Sequence, residues 1–581
     1  MNKTFDRHRR SLLNEETGAI RKRRHAETTI ALVYPNTYHV GMSNLGFQTV
    51  YQQLNALDDI VCERSFLPES RFKNANDIIT LESGRPIRHF DIVAFSISFE
   101  NDFPNILTIL DKAGIPLKGE EREDSHPLIV AGGVACFLNP ESIGTFIDCF
   151  FIGEAEAILP HFFEIYFQEN DRQQRLKHVA QNVKGIYVPA FYESRYLADG
   201  TFESLAPKMD VPQKITRVYL RDIDTAPTSS TILTPNTTFD QTHLIEVSRG
   251  CPHGCRFCGA GFVYRPPRFR SLSLLNKCME AGVAQSNKIG LVGAAVSDLP
   301  DLDQLCRHVN PDKTTLSFSS LRADALGSSL ISHLRESGVK TATIAPDAGS
   351  GRLRQVINKG ICEADILNVA ENLVANGIPN LKLYFMIGLP TEETEDIEAI
   401  IDLCKKIKHR FLKSSRDRKK IGEITVSINS FVPKPHTPFQ WAAMNRVQLL
   451  KEKLKRIKTG LRRVSNVQVH VDIPKWAYIQ ALLSRGDRRV SAILEKVHTN
   501  NGNWAKTFKE SLINPDFYVI RERSFDEAFP WDFIDHGIKK SFLKSEYRKA
   551  MQNKITEPCD TASCKRCGVC PPYDGDASID Q

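Results

Sequence analysis

The chain has 581 residues, of which 41% are hydrophobic and 25% charged, with a formal net charge of +7. That length is too great for one hydrophobic core and predicts roughly three to five domains. No run approaches the roughly 18 consecutive apolar residues that span a bilayer, which excludes a membrane-embedded protein. Residues 1–27 form a charged leader with no apolar stretch of the signal-peptide kind, so a cytoplasmic protein is expected.

After the leader, β-type runs alternate with helical spacing. TTIALVYPN from Thr28, DIVAFSISF from Asp91, PLIVAGGVACFL from Pro127 and CFFIGE from Cys149 are separated by helical apolar patterns over 45–57, 105–113 and 157–167. This alternation predicts a parallel sheet with crossover helices. Residues 28–184 are therefore read as a doubly wound α/β domain, with its ligand site beyond the carboxyl ends of the strands. Residues 185–240 are β-rich and linker-like, with a hairpin turning at Ala198-Asp199-Gly200. Over 241–437 the alternation resumes in about six strands, HLIEVSR, KIGLVG, TTLSFS, KTATIAP, NLKLYFMIGLP and EITVSINSFVP. These suggest a full or partial β/α barrel with its functional loops at the strand carboxyl ends. Residues 438–550 read as helical and charged, and 551–581 as a cysteine-rich metal-binding tail. The basic runs Lys405 to Lys420 and Lys451 to Arg463 are read as solvated faces ahead of an RNA-docking surface, because only Phe411 interleaves them.

In a reducing compartment, clustered cysteines point to metal or catalysis rather than disulfides. Of the 14 cysteines, seven lie in two clusters, and Cys62, Cys136, Cys149, Cys278, Cys306, Cys362 and Cys404 are spread through apolar or helical contexts that suit packing. In the first cluster, Cys251, Cys255 and Cys258 directly follow an apolar strand. Three thiolates on one loop can ligate three irons of a cubane cluster and leave the fourth open for chemistry. Structural zinc closes four ligands, and His253, lying between the first two cysteines, is awkwardly placed to be the fourth.

The segment Cys251-Pro252-His253-Gly254-Cys255-Arg256-Phe257-Cys258, with an aromatic residue before the third cysteine, resembles the signature loop of the radical S-adenosylmethionine (SAM) superfamily. SFSSLRADAL from Ser317, TIAPDAGSGRLRQVINKG from Thr343 and LYFMIGLPTEETEDIEAI from Leu383 extend the resemblance over the barrel. It implies an oxygen-sensitive enzyme whose 4Fe-4S cluster chelates SAM through the open iron. One electron would cleave the sulfonium bond to give methionine and a 5′-deoxyadenosyl radical, which abstracts hydrogen from a substrate. It further implies a flavodoxin or ferredoxin type electron donor of low potential. For the SAM pocket it points to Phe257, Gly293, Ser320, Arg322, Gly388 and Pro390, although the family's usual Gly-Gly-Glu is absent at Gly293.

ALVYPNTYHVGMSNLG, ISFENDFPN, VAGGVACFLNPE and FIGEAEAILP are similar to the cobalamin-binding-like domain that precedes the barrel in one branch of the superfamily. The entire chain, including ALLSRGDRR from Ala481, resembles a bacterial family of that branch. The Asp-x-His-x-x-Gly motif that supplies an axial histidine is missing, since Asp124-Ser125-His126 starts it without the glycine. Either a corrin binds without a protein histidine or the domain keeps only the shape; His39 is a candidate contact. The tail motif of Cys559, Cys564, Cys567 and Cys570, followed by Pro571-Pro572, suits a second iron-sulfur cluster or structural zinc.

The reading is thus a radical SAM enzyme, with cobalamin-assisted methyl transfer or carbon-skeleton change on an unidentified substrate. One alternative is methylthiotransferase-like modification of tRNA or a ribosomal protein, which would need Cys62, Cys136 and Cys149 as an N-terminal cluster. The other is a non-enzymatic iron-sulfur sensor or electron carrier, which gains nothing from an open iron.

Overall fold

The computed structural model describes residues 3–22, 28–72, 77–319, 321–415, 422–561 and 563–570. The first sheet holds β1 (Thr28–Tyr34), β2 (Ile60–Phe66), β3 (Ile92–Ser96), β4 (Leu128–Gly132), β5 (Cys149–Phe151) and β6 (Ile186–Tyr187) in the order β2-β1-β3-β4-β5-β6. All pairs are parallel except β5 with β6. The connecting helices Leu45–Ala56, Phe103–Lys112 and Ala155–Tyr166 match the expected crossovers. Because β1 pairs with both β2 and β3, the strand order reverses there, and a crevice opens at the carboxyl ends of β1 and β3.

β2 escaped the sequence reading because Glu63 and Arg64 interrupt its apolar run. Both are buried: Arg64 pairs with Glu16 and Glu82, each at 2.7 Å, and Glu63 accepts from Thr80 and Ser83. Glu16 belongs to the charged leader, which is therefore docked on this domain after its helix Lys3–Asn14.

The linker supplies the hairpin of β7 (Tyr192–Tyr196) and β8 (Phe202–Pro207), then β9 (Ile215–Thr216). Next come β10 (His243–Glu246), β11 (Ser248–Arg249), β12 (Arg268–Phe269), β13 (Lys288–Val292), β14 (Thr315–Phe318), β15 (Thr341–Asp347), β16 (Asn380–Ile387), β17 (Ile424–Ser430) and β18 (Val467–Val471). The order β10-β13-β14 forms one parallel sheet and β15-β16-β17-β18 another, so among the described residues the barrel is partial. β18 lies beyond residue 437, where a helical region was expected. Only five residues long and half-exposed on alternate positions, it carries too little apolar signal between two charged helices.

The carboxyl-terminal helices cover the barrel mouth. Trp441, Phe529, Trp531, Leu543 and Tyr547 form a core with Ala348, Leu389 and Phe431, which directly follow β15, β16 and β17. The 481–489 segment holds the first domain and the linker. Asn139 donates to Ser484 O and Gly486 O, Ser142 to Leu483 O, and Arg488 to Pro189 O and Tyr192 O. β19 (Ile534–Asp535) then pairs with β9. On the basic helix Val447–Leu461, Leu450, Leu454, Ile457 and Leu461 are buried, leaving most of its cations to solvent. Residues 416–420 of the other basic run lie outside the described residues. No helix among the described residues is long and apolar enough to cross a membrane.

Candidate active site

β10 and the short β11–β12 pair frame the loop that carries the three cysteines. Gly250 opens it at φ +82, where an added Cβ would lie 2.6 Å from Tyr264 O, so only glycine fits the turn. Arg256 anchors the loop from within. Its backbone N–H donates to Ile357 O at 3.0 Å, and its wholly buried guanidinium donates to Gln355 O, Val356 O, Lys554 O and the Glu546 carboxylate.

Cys255 is buried, and Cys251 and Cys258 are partly so. Burial pushes the Cys251 thiol up to about 12 and that of Cys255 to about 11. Lys359 and Arg322 pull Cys255 the other way, providing local positive charge for a thiolate. His253 turns to Asp298, with Nε2 2.9 Å from Oδ1. Among the described residues no group of three or more His, Cys, Asp or Glu side chains is preset as a metal site. Metal-binding thiols commonly close only around their metal, and the residues fit a cluster by chemistry: three thiols on one loop within electrostatic reach of one another.

The residues proposed for SAM fall in different surroundings. Phe257 is partly buried against the aromatic core. Arg322 donates to Lys359 O at 3.0 Å and pairs with Asp324. Gly293 directly follows β13, and its N–H donates to Ser319 Oγ at 3.2 Å. Gly388 gives its N–H to the Glu392 carboxylate at 2.8 Å and is backed by Leu450, so it builds a turn; Pro390 follows in that turn, partly buried. Ser320 lies outside the described residues. Sequence reasoning missed Asp347 and Lys359, which pair at 2.6 Å beside Cys255. Both sit inside the quoted TIAPDAGSGRLRQVINKG segment, where an aspartate closing an apolar strand was the available signal; Asp347 ends β15 at φ +61.

One cavity of about 600 Å³ joins the two domains. Asn44, Ser98 and Phe137 line it from beyond the ends of β1, β3 and β4, and Gly250, Tyr264 and Gly293 from the barrel side. Its charged rim is a closed network. Arg249 contacts Glu154, Glu156 and Glu246; Arg268 pairs with Glu154 and Arg270 with Glu246. Among the described residues no histidine lines the cavity. His39 turns to Asn236 O and Thr238, and His126 precedes β4, at the opposite end of the sheet. A corrin at this apolar crevice would therefore have no imidazole from the lining.

Residues 46–189 match the family described as radical SAM proteins, N-terminal, and residues 245–404 the radical SAM superfamily. The chain belongs to the radical SAM superfamily. It is accordingly an enzyme, of a class that works with a 4Fe-4S cluster and SAM. It is 32% identical over 472 residues to the uncharacterized protein MJ0966 of Methanocaldococcus jannaschii, covering 80% of this chain and 90% of that protein. It is 22% identical to the ribosomal protein uS12 methylthiotransferase RimO of Petrotoga mobilis, over 51% of this chain and 72% of that protein. The fold is shared, at 13% identity and a TM-score of 0.51, with a solved structure of the radical SAM methyltransferase TsrM from Kitasatospora setae. That alignment covers 84% of this chain and 100% of TsrM, whose structure holds cobalamin and a [4Fe-4S] cluster.

Against a methylthiotransferase-like N-terminal cluster stands the sheet itself. Cys62 is on β2 and Cys149 on β5, and four inter-strand steps of about 4.8 Å separate them by roughly 19 Å. Both are wholly buried in the core, as is Cys136.

Proposed function

We propose that this radical SAM enzyme is a cobalamin-assisted methyl transferase, with the corrin in the interdomain crevice and SAM beside Cys251, Cys255 and Cys258. The observation that carries the reading is the cavity running from the switch point of the first sheet to Gly250, the residue before the first ligand cysteine. When bound, the cluster supplies one electron to SAM and cobalamin supplies a carrier for a methyl group. TsrM, which shares the fold, is named as a methyltransferase with cobalamin bound, and this supports the assignment.

The chain's own residues have definable tasks. Arg249, tied to Glu154 on one domain and Glu246 on the other, holds the crevice walls in register. Phe137, Phe151 and Tyr264 make its interior apolar and exclude water from the reacting groups. Lys359 and Arg322, both near Cys255, are the cations suited to the carboxylate of SAM. The low-potential electron donor remains of flavodoxin or ferredoxin type, and nothing in the basic helices favours RNA over solvent.

The test is anaerobic reconstitution with iron, sulfide and hydroxocobalamin, followed by dithionite and SAM. Stoichiometric corrin and formation of 5′-deoxyadenosine or S-adenosylhomocysteine are expected, with loss of SAM turnover in Cys255→Ala. A protein that carries its cluster, takes up no corrin and still cleaves SAM would rule out the cobalamin part.

A further inference from the structure

The four tail cysteines are folded back onto the radical SAM loop. The backbone N–H of Cys559 donates to the carbonyl of Pro252 at 2.7 Å, and Pro252 is bonded to Cys251. Asn358 ties the same two segments: its amide donates to Gly254 O at 3.2 Å and to Thr556 O at 3.0 Å, and accepts from Thr556 N at 2.8 Å. Arg256, between Cys255 and Phe257, reaches Lys554 O at 2.7 Å. From the other side Lys539 N donates to Cys567 O at 2.9 Å.

Within the tail the four cysteines fall in one stretch of twelve residues, turned back on itself where Cys564 N–H donates to Asp560 O at 2.8 Å, and the charges of Cys564, Cys567 and Cys570 all bear on Cys559. Cys567 is buried, while Cys564 is partly exposed beside the exposed Lys565 and Arg566. These thiols are no more preset than the three of the radical SAM loop, and they supply one ligand more, enough to close a site completely.

We propose that Cys559, Cys564, Cys567 and Cys570 hold a second iron-sulfur cluster that relays electrons from a soluble low-potential donor to the cluster on Cys251, Cys255 and Cys258. The relay half rests on the loop cluster of the reading above; the metal site does not. Complete thiolate ligation leaves no open iron for substrate, and zinc, which has no redox chemistry, would gain nothing from this contact. The path between the ligands is short: covalent bonds from Cys251 through Pro252, one hydrogen bond, and Cys559. The balance is one electron and no atoms. The donor is oxidised, the tail cluster is reduced and then reoxidised, and the loop cluster is left reduced. Lys565 is an exposed cation at the solvent side, suited to an acidic donor, while Arg566 donates to Cys564 Sγ at 3.3 Å and to Glu557 O and Pro558 O.

Three preparations decide it: wild type, the loop variant Cys251→Ala with Cys255→Ala and Cys258→Ala, and the tail variant Cys564→Ser, which spares the buried Cys567. After anaerobic reconstitution, the loop variant should retain about four irons with the Mössbauer signature of a cubane cluster. Cys255→Ala alone repeats this measurement if the triple replacement disturbs the loop. Dithionite-reduced wild type should show electron paramagnetic coupling between two clusters, absent from the loop variant. Reduction of the loop cluster by reduced flavodoxin should slow about tenfold or more in Cys564→Ser, while reduction by dithionite, small enough to reach it directly, is unchanged. Zinc or no metal in the loop variants overturns the second cluster, and undiminished flavodoxin reduction in Cys564→Ser overturns the relay. None of these readouts uses SAM, so a wild type that fails to turn over SAM counts against the methyl-transfer reading alone.

Discussion

Asp347 and Lys359 meet at 2.6 Å with each side chain only 12% exposed, and both charges bear on the Cys255 thiol. Burial raises the Asp347 carboxyl above its ordinary 3.8, and Lys359 pulls it back. Lys359→Met should therefore strand a buried carboxylate and cost about 3–5 kcal/mol near neutral pH. With its folded pKa raised further, Asp347 binds its proton more tightly folded than unfolded, so the variant loses stability as pH rises above 3.8. Denaturant unfolding from pH 4 to 8 should show the gap from wild type widening with pH; a constant gap would refute this account.

Glu154 has the opposite sign. Burial raises its carboxyl, but Arg268 and Arg249 outweigh burial and leave it below its ordinary 4.5. Its contribution is fully present above pH 4.5 and is lost as pH falls through the lower folded value. Glu154→Gln should cost about 3 kcal/mol at neutral pH and flatten the acid limb of the stability profile. Equal acid limbs in wild type and variant would show that the interdomain network does not depend on this charge.

Val134 begins the short helix after β4 and lines the interdomain cavity. Val134→Trp should fill part of that space and reduce bound corrin about tenfold or more, read from visible absorbance, while the loop cluster's iron content stays unchanged. Undiminished corrin in this variant would place the cofactor elsewhere.

Asn358 sits at φ +53, a conformation that glycine adopts without strain, so Asn358→Gly removes the amide with little backbone penalty. The carbonyls of Gly254 and Thr556 and the Thr556 N–H then lose their partner, at about 1–3 kcal/mol for a stranded buried group. Hydrogen exchange should accelerate in 251–258 and 554–561 together. Acceleration in the tail alone would mean that the two segments are not coupled through Asn358.

Much of the architecture was legible because its signals are local. β1, β3, β4 and β16 are apolar runs of strand length, and Cys251, Cys255 and Cys258 declare their chemistry by spacing within one loop. β2 and β18 were not legible. A buried Arg64 looks like a surface residue until Glu16 and Glu82 are seen to neutralise it, and β18 is a short strand with exposed alternate positions.

The same distinction governs the site. The amino-acid sequence by itself determined the superfamily, the three-cysteine loop and the existence of a four-cysteine tail, since each depends on residues close together along the chain. Only the tertiary structure decided that Lys359 and Asp347 stand beside Cys255, that Arg249 joins Glu154 to Glu246 across two domains, and that Cys559 lies one hydrogen bond from Pro252. Apart from the three-residue step between Glu246 and Arg249, those pairings span 12 to more than 300 residues, and they are set by how the two sheets and the carboxyl-terminal helices pack, which no local spacing encodes.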